Sequence, residues 1–575
     1  MPSQLNRSAV LGGTTLAVAP LPNSLDASAR TQISLLGAPA SALSAVSASG
    51  SQSGSHPGSL RAYSQGDGAS FVPSRPFAAG ETVTVRGRVR TGAGTRGFSY
   101  RFVVAHPDPV RLTPIAKPAL NYNATQHFHS APSLQPPTLA VTTRAGPTAG
   151  GYIFAAPYTG QGPSGPEIFG ESGELVWFDP LGGETSAANL QVQRLDGKPV
   201  LTWWQGYVPP QGFGQGEEII DSASYTQIGR VHAGNGYKAD LHDFHITAQD
   251  TALLTVFAPI ACNLAAVGGP GGGAATDSIF QEIDLKTGLV RREWHSLDHV
   301  PLGDSYSAPE GSTTEWPYDY FHINSIDQAP GATTLISARN TWALYELSTS
   351  TGQVTLRVGG KHSEVKQLNG AATAFQHDAT TLSNGTITIF DNGAVPKVHS
   401  QSRALVVALE PKAKTDTVLA RYEHTAPALS AGSQGNVQAL ENGDLFVGWG
   451  SEPYFSEYAP SGQLLYDAHM HGSYESYRTY RFPWTGAPGA RPAIAASSAG
   501  AGRAVTVYAS WNGATQVASW RVLAGPSPTA LAPVASAAKS GFETAIATPG
   551  PEPSVAVQAL GGAGAVLGTS STIRG

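Results

Sequence analysis

A single cysteine, Cys262, in 575 residues excludes an intramolecular disulfide and any thiolate metal cluster. Charge is scarce too: 13% of residues are Asp, Glu, Lys or Arg, about half the share usual in globular proteins. The formal net charge is −6 and no Lys/Arg run occurs, so nothing draws nucleic acid or an anionic membrane surface to the chain. No apolar run approaches the roughly 20 residues that span a bilayer, and helical periodicity is nearly absent. The glycine run GGPGGG at 268–273 fits neither G-x-G-x-x-G nor a Walker sequence, so no nucleotide cofactor is expected. Arg7 followed by AVLGGTTLAVAP matches the three-part export signal poorly.

What the chain does have is strand and turn material. Its 66 glycines and 42 prolines, with 41% hydrophobic residues, read as many short strands joined by turns around buried cores. Residues 1–115 carry TQISLLG, ETVTVRGRVR and FSYRFVVA and suit a small β-sandwich, with the Ala/Ser/Gly stretch near 41–59 left open between loop and strand. Residues 116–149 are Pro-rich and read as a linker or an outer strand. From 150 to 486 a hairpin idiom repeats, as in FGESGELVWFDP, LYELSTSTGQVTLRVGG and FSEYAPSGQLLYDAH, about six times over. Residues 487–575, with Trp511 and Trp520 in adjacent strand-like runs, suit a fibronectin-III-like sandwich. The fold class expected is therefore all-β: a six-bladed propeller flanked by N-terminal and C-terminal sandwiches.

Within the repeats three histidines hold one slot, each a few residues ahead of a β run: His242 in ADLHDFHIT, His322 in DYFHINSID and His377 in FQHDATTLS. Asn436 holds the same slot in GNVQALENGDLFVGWG. Equivalent slots on neighbouring propeller blades face one central channel, so these residues are expected to meet. His245 lies two residues beyond His242, which leaves open which of the two faces inward. Asn324 shares a strand face with His322. Arg339, in LISARNTW, ends the same repeat's β run, where the other repeats place Phe257, Asp391 and Trp449.

Clustered imidazoles beside a fixed cation resist protonation, which favours neutral, nucleophilic rings near pH 7. Arginine offers a planar fork to sulfate, phosphate or carboxylate oxygens, although pairing with Asp391 is an equal alternative for Arg339. A histidine nucleophile beside His, Asn and Arg donors is what sulfuryl or phosphoryl transfer needs. Asp243 and Asp378, next to two of the histidines, read as braces for backbone or ring. Two other classes compete: a metal-dependent propeller enzyme, and a non-catalytic surface or binding propeller. Against the metal stand Asn436 in the fourth slot and the cation Arg339.

At these residues the chain resembles the bacterial arylsulfotransferase family, in its actinobacterial and fungal-type branch. The phrases that carry the resemblance are LHDFHIT, DYFHINSI, ISARNTWALYELSTSTGQVTLRVGGKHSE, QHDATTLSNGTITIFDNG and GNVQALENGDLFVGWGSEPYFSEY, in order over about 150–485. The resemblance implies a ping-pong transfer of a sulfuryl group from a phenolic sulfate ester to a phenol, with no metal and no nucleotide. It implies a sulfated-histidine intermediate at His377, with His322, Asn324, Arg339 and His242 gripping the sulfate and handling the phenolic proton. Asn436, Trp449 and Tyr320 are the expected substrate contacts. An extracytoplasmic or secreted location is implied by the resemblance alone.

Overall fold

Period-2 alternation and frequent turn residues leave no stretch with a helical stripe, and the chain folds as almost pure β-structure. The structure, a computed structural model, describes residues 5–575 except 109, 111, 112, 114, 116, 117, 329–332, 499–503 and 552. The start of the Pro-rich stretch at 116 and 117 therefore lies outside the described residues. Among the described residues the only helical pieces are five short 3₁₀ turns, and no helix is long and apolar enough to cross a membrane. The chain divides into two compact units, one of residues 1–115, 204–218 and 230–439, the other of 116–203, 219–229 and 440–575.

The first unit begins with two four-stranded antiparallel sheets. One runs in the order Ala17–Ala19, Ile33–Leu36, Gly68–Pro73, Gly58–Ala62, the other Gly54–His56, Leu43–Gly50, Thr82–Thr91, Gly94–Val103. The Ala/Ser/Gly stretch is thus strand and not loop. In Thr82–Thr91 alternate residues turn inward, so Val83, Val85 and Val89 join Ile33, Leu35, Phe71, Phe98 and Phe102 in one core.

Three further antiparallel sheets follow in that unit, each a meander in chain order. The first is built of Phe244–Ile246, Thr251–Cys262, Gly273–Asp284 and Val290–His295. The second takes Ile323–Asp327, Thr333–Ala338, Ala343–Ser348 and Val354–Gly359. The third takes His377–Thr381, Ile387–Asp391, Arg403–Glu410 and Thr415–Tyr422, extended at its edge by Lys366–Leu368, which pairs in parallel with Thr415–Tyr422. Strand alternation lets the second sheet serve two cores. Ile336, Tyr345 and Leu347 pack toward Leu253, Phe280 and Trp294 of the first sheet, while Leu335, Leu344 and Val358 pack toward Ile389, Leu405 and Val407 of the third.

Side chains also lace the opening strands of these sheets together. Asp243 Oδ2 accepts the Ile326 N–H at 2.6 Å, and Ser325 Oγ accepts the Ala379 N–H at 3.1 Å. Asp327 Oδ2 takes the Thr381 N–H at 2.8 Å, and Asp378 Oδ2 takes the Val437 N–H at 2.9 Å. Each bond satisfies a backbone donor that its own sheet leaves over.

In the second unit, Leu175–Phe178, Glu167–Phe169, Tyr152–Pro157 and Ser476–Phe482 form a sheet that joins sequence-distant strands. Leu445–Gly448, Tyr454–Tyr458 and Leu464–Met470 form a meander completed by Leu139–Arg144, so part of the Pro-rich stretch is an outer strand. Residues from Ala493 onward build a three-stranded and a larger sheet around Val507, Trp520, Val522, Val555 and Val557. The division between the units passes through the strands Lys198–Tyr207 and Gln215–Asp221.

Replacing Asp378 by Ala should orphan the buried Val437 N–H and cost about 1–3 kcal/mol in urea-unfolding stability. Asp378 has a φ of +54°, which Asn tolerates better than Ala while keeping an acceptor, so Asp378→Asn should cost measurably less.

Candidate functional site

His242, His322 and His377 stand at the starts of the three consecutive meanders, two residues before Phe244–Ile246, directly before Ile323–Asp327, and at the head of His377–Thr381. The lacing of those strands brings their heads side by side. All three side chains are buried. The rings of His242 and His322 lie 4.7 Å apart at 89°, and both touch Phe257, at 5.1 and 5.2 Å. His245 turns out instead: its ring is 40% exposed and bonds Asp243 Oδ1 at 3.1 Å. His242 is therefore the inward residue.

Each imidazole is held by its Nδ1. His242 Nδ1 lies 2.5 Å from Asp240 Oδ2, which also accepts the Thr255 hydroxyl at 3.1 Å. Burial pushes the Asp240 carboxyl up, but His242 and two backbone N–H donors outweigh it and hold it below the ordinary range. His322 Nδ1 bonds Asp319 Oδ2. Burial drives the His322 pKa down, Asp319 opposes, and the charges of His242 and Arg339 add to the fall.

His377 has the most defined tautomer. Its Nδ1 faces two acceptors, Phe375 O at 3.0 Å and Asn392 Oδ1 at 2.7 Å, while Nε2 accepts the Gln434 N–H at 3.2 Å. The proton therefore sits on Nδ1 and the lone pair on Nε2. Burial first, then the neighbouring Arg339 charge, pushes this histidine well below its ordinary pKa.

Arg339 reaches the cluster because the hairpin of the second sheet continues past its strands: the Arg339 N–H donates to His322 O at 2.9 Å. Its guanidinium bonds Asn340 Oδ1 at 2.8 Å and Gly432 O at 3.0 Å, and lies 4.7 Å over the Phe375 ring. Pairing with Asp391 does not occur; Asp391 is taken by Arg403, whose Nε is 2.8 Å away. Asn324 Nδ2 donates to Gln376 O at 2.7 Å, fixing the residue before His377. Asn436 is fully buried at the head of Asn436–Ala439, two residues past Gln434.

Two further expected contacts, Tyr320 and Trp449, are fully buried. Tyr320 is fully buried, donates to Val300 O at 3.2 Å and packs on Tyr318 and Phe321, as a core residue does. Trp449 belongs to the other unit, where its fully buried indole N–H donates to Ser456 Oγ at 3.0 Å. Phe257 borders two of the imidazoles, Phe375 lies under Arg339, and Trp342 is 5.0 Å from Phe375 and stacked at 3.7 Å on the partly exposed Tyr306.

The sequence reading also missed Asp240, Asp319, Asn392 and Gln376. Asp240 and Asp319 lie two and three residues before their histidines, a spacing that was legible. Asn392 follows Asp391 at the aligned position, one residue off the slot compared between repeats. Gln376 precedes His377 and bonds Ser337 Oγ, Ala338 O and Ala343 O, each at 3.1 Å. Backbone strain collects here: His322, Trp342, Phe375, Asp378 and Gln434 all have φ between +52° and +67°. Each such non-glycine residue costs roughly 1–3 kcal/mol, which the surrounding packing must offset.

Residues 191–471 match the arylsulfotransferase (ASST) family. That stretch contains every site residue named above. No curated protein matches the chain significantly. Among solved structures, a Bacteroides caccae protein of unknown function is 13% identical over 58% of this chain and 100% of its own, with a TM-score of 0.36. An auxiliary nutrient binding protein from Bacteroides ovatus is 11% identical over 84% and 93%, with a TM-score of 0.28. An inactive virginiamycin B lyase from Staphylococcus aureus is 8% identical over 65% and 96%, with a TM-score of 0.28. Similarity at this level carries no functional argument.

The buried histidines give stability a definite pH dependence. His377 and His322 have depressed pKa values, as does His299, which burial and the charges of His295 and Arg7 bring to about 3. As pH falls through about 6.5 the unfolded chain takes protons these rings refuse, so stability present above that pH is lost below it. His377→Gln should reduce the slope of unfolding free energy between pH 6.5 and 5 by up to about 1.4 kcal/mol per pH unit, read from urea titrations at several pH values.

Proposed function

We propose that this chain is an aryl-sulfate:phenol sulfotransferase working by a ping-pong reaction through a sulfated His377. One observation carries the reading: His377 is buried, with Nδ1 clamped by two acceptors and its one remaining lone pair on Nε2, where it accepts the Gln434 N–H that attack on sulfur would displace. The family match over 191–471 supports arylsulfotransferase activity in general terms. The HDF, H-x-N-S, SARN and QHDA phrases favour the actinobacterial and fungal-type branch. Successive four-stranded meanders whose opening strands are laced together support the propeller reading, with six blades proposed and a sandwich at each end.

In the first half-reaction His377 Nε2 attacks sulfur in line, forming the N–S bond as the ester S–O bond breaks. The sulfated ring becomes cationic, and Phe375 O and Asn392 Oδ1 on Nδ1–H offset that charge. Arg339 and Asn324 donate to the sulfuryl oxygens, and His322, its Nδ1 held by Asp319, joins them when the incoming sulfate anion favours a proton on Nε2. The departing phenolate takes a proton from His242, whose Nδ1 is backed by the ionised Asp240. The second half-reaction reverses these roles: His242 accepts the acceptor phenol's proton, its oxygen attacks sulfur, and Nε2 leaves. Phe257, Phe375 and Trp342 offer apolar ring faces for the aryl group, with Asn436 as a further contact.

Incubation with 4-nitrophenyl sulfate and phenol tests this. Nitrophenolate should be released together with phenyl sulfate, and acid-labile sulfate should be trapped on the protein when phenol is withheld. His377→Ala should lower turnover by about three orders of magnitude or more. His242→Ala should cost roughly 10²–10⁴-fold, and Arg339→Lys about 10²–10³-fold. Unchanged turnover in folded His377→Ala, or none across a broad panel of aryl sulfates in the wild type, overturns the proposal.

A further inference from the structure

A second cluster of titratable groups lies in the same unit, built from residues that the sulfuryl-transfer chemistry does not use. Asp26, Asp277 and His295 are all buried, and one ligand atom from each lies within 4.8 Å of the others. His295 Nδ1 is 2.6 Å from Asp277 Oδ2 and 3.6 Å from Asp26 Oδ1. Asp277 lies in Gly273–Asp284 and His295 ends the next strand, Val290–His295. Ile279, two residues from Asp277 and on the same strand face, is the register partner of His295. Asp26 comes from the loop ahead of Ile33–Leu36 in the N-terminal pair of sheets.

The outer contacts are those of an oriented ligand set. His295 Nε2 meets Glu293 Oε1 at 3.1 Å, and Glu293 Oε2 accepts Asn235 Nδ2 at 2.7 Å and Gln281 Nε2 at 2.5 Å. A carboxylate behind one ring nitrogen fixes the tautomer that leaves the other free to bind a metal. Asp277 Oδ1 accepts the Ser296 hydroxyl at 2.9 Å and the Leu297 N–H at 3.3 Å, leaving Oδ2 for the centre. The Ser24 hydroxyl holds Asp26.

An independent observation points to a ligand. Asp298 is 1% exposed, and its Oδ2 finds no hydrogen-bond partner among the described residues, although its Oδ1 is paired with Arg7. Its charge acts on both Asp26 and His295. Three buried carboxyl groups, Asp26, Asp277 and Glu293, thus meet one imidazole away from water, and Asp298 with Arg7 lies beside them. A divalent ion in place of the imidazole proton would give these oxygens a shared partner.

We propose that Asp26, Asp277 and His295, with Asp298 beside them, form a buried site for one divalent cation of the zinc or manganese class, which staples the N-terminal loop to the sheet behind it. One imidazole nitrogen with carboxylate oxygens suits such ions. Ligand lengths of about 2.0–2.2 Å put neighbouring donors roughly 3–3.5 Å apart; His295 Nδ1 lies 3.6 Å from Asp26 Oδ1 and 2.6 Å from Asp277 Oδ2, so the last pair would part slightly to admit the ion.

Elemental analysis of the full-length protein and its melting curve test the site without reference to turnover. About one zinc or manganese per chain is expected, with a lower melting temperature after chelation that returns on adding Zn²⁺ or Mn²⁺. Asp26→Asn and Asp277→Asn should each lose both the metal and the response, while His245→Ala keeps both. The two variants act from different segments, so a failure of one to fold leaves the other to decide. Chelated protein that neither binds these ions nor shifts its melting temperature overturns the proposal, as does a response to Ca²⁺ alone or metal retained in a folded Asp277→Asn chain.

Discussion

The lacing of strand heads is the constraint on which the site depends. Asp243, Ser325, Asp327 and Asp378 each accept a backbone N–H from the next opening strand. These are short side chains with little rotamer freedom, so they set the spacing of neighbouring strands tightly. Two of them directly follow a site histidine. The residue that points an imidazole inward and the residue that fixes the next strand are therefore neighbours in sequence. Where the strand heads go, the rings must follow.

Burial then does the electrostatic work. A histidine in water is close to half protonated near pH 6.5, and protonation removes the lone pair a nucleophile needs. At His377 desolvation and the Arg339 charge act in the same direction and keep the ring neutral. At His242 a buried, ionised Asp240 supplies the opposite environment. One residue type thus meets two chemical settings, a guanidinium charge acting on one ring and a carboxylate bonded to the other. The five left-handed non-glycine residues around them show that the local backbone is bent to achieve this, against its own preference.

Much of this was legible before any coordinates. The repeated slot identified His242, His322 and His377, because an identical residue in non-identical repeats asks for a shared environment. Alternation in ETVTVRGRVR and the turn residues of LYELSTSTGQVTLRVGG gave strands and hairpins where they occur. Aromatic residues were read less well. Tyr320 lies near a site motif in sequence yet is filled into a core, whereas Phe257 touches two imidazoles and Phe375 lies under Arg339. Strand neighbours point to opposite faces, so closeness along the chain is a poor guide to which ring lines a site.

The sequence by itself determined an all-β chain, the slot shared by three histidines, and the absence of disulfide, thiolate cluster and nucleotide motif, since these follow from residue type and local period. Only the tertiary structure decided that His242 and not His245 turns inward, that Asp391 is claimed by Arg403, and that Asn392 and Asp240 set the two tautomers. Those choices rest on partners 12 and 15 residues away, on which of two neighbouring side chains an acid meets, or on the sense of a single strand. Local preference is silent on all three, because a hydrogen bond between distant residues exists only once packing has brought the strands together.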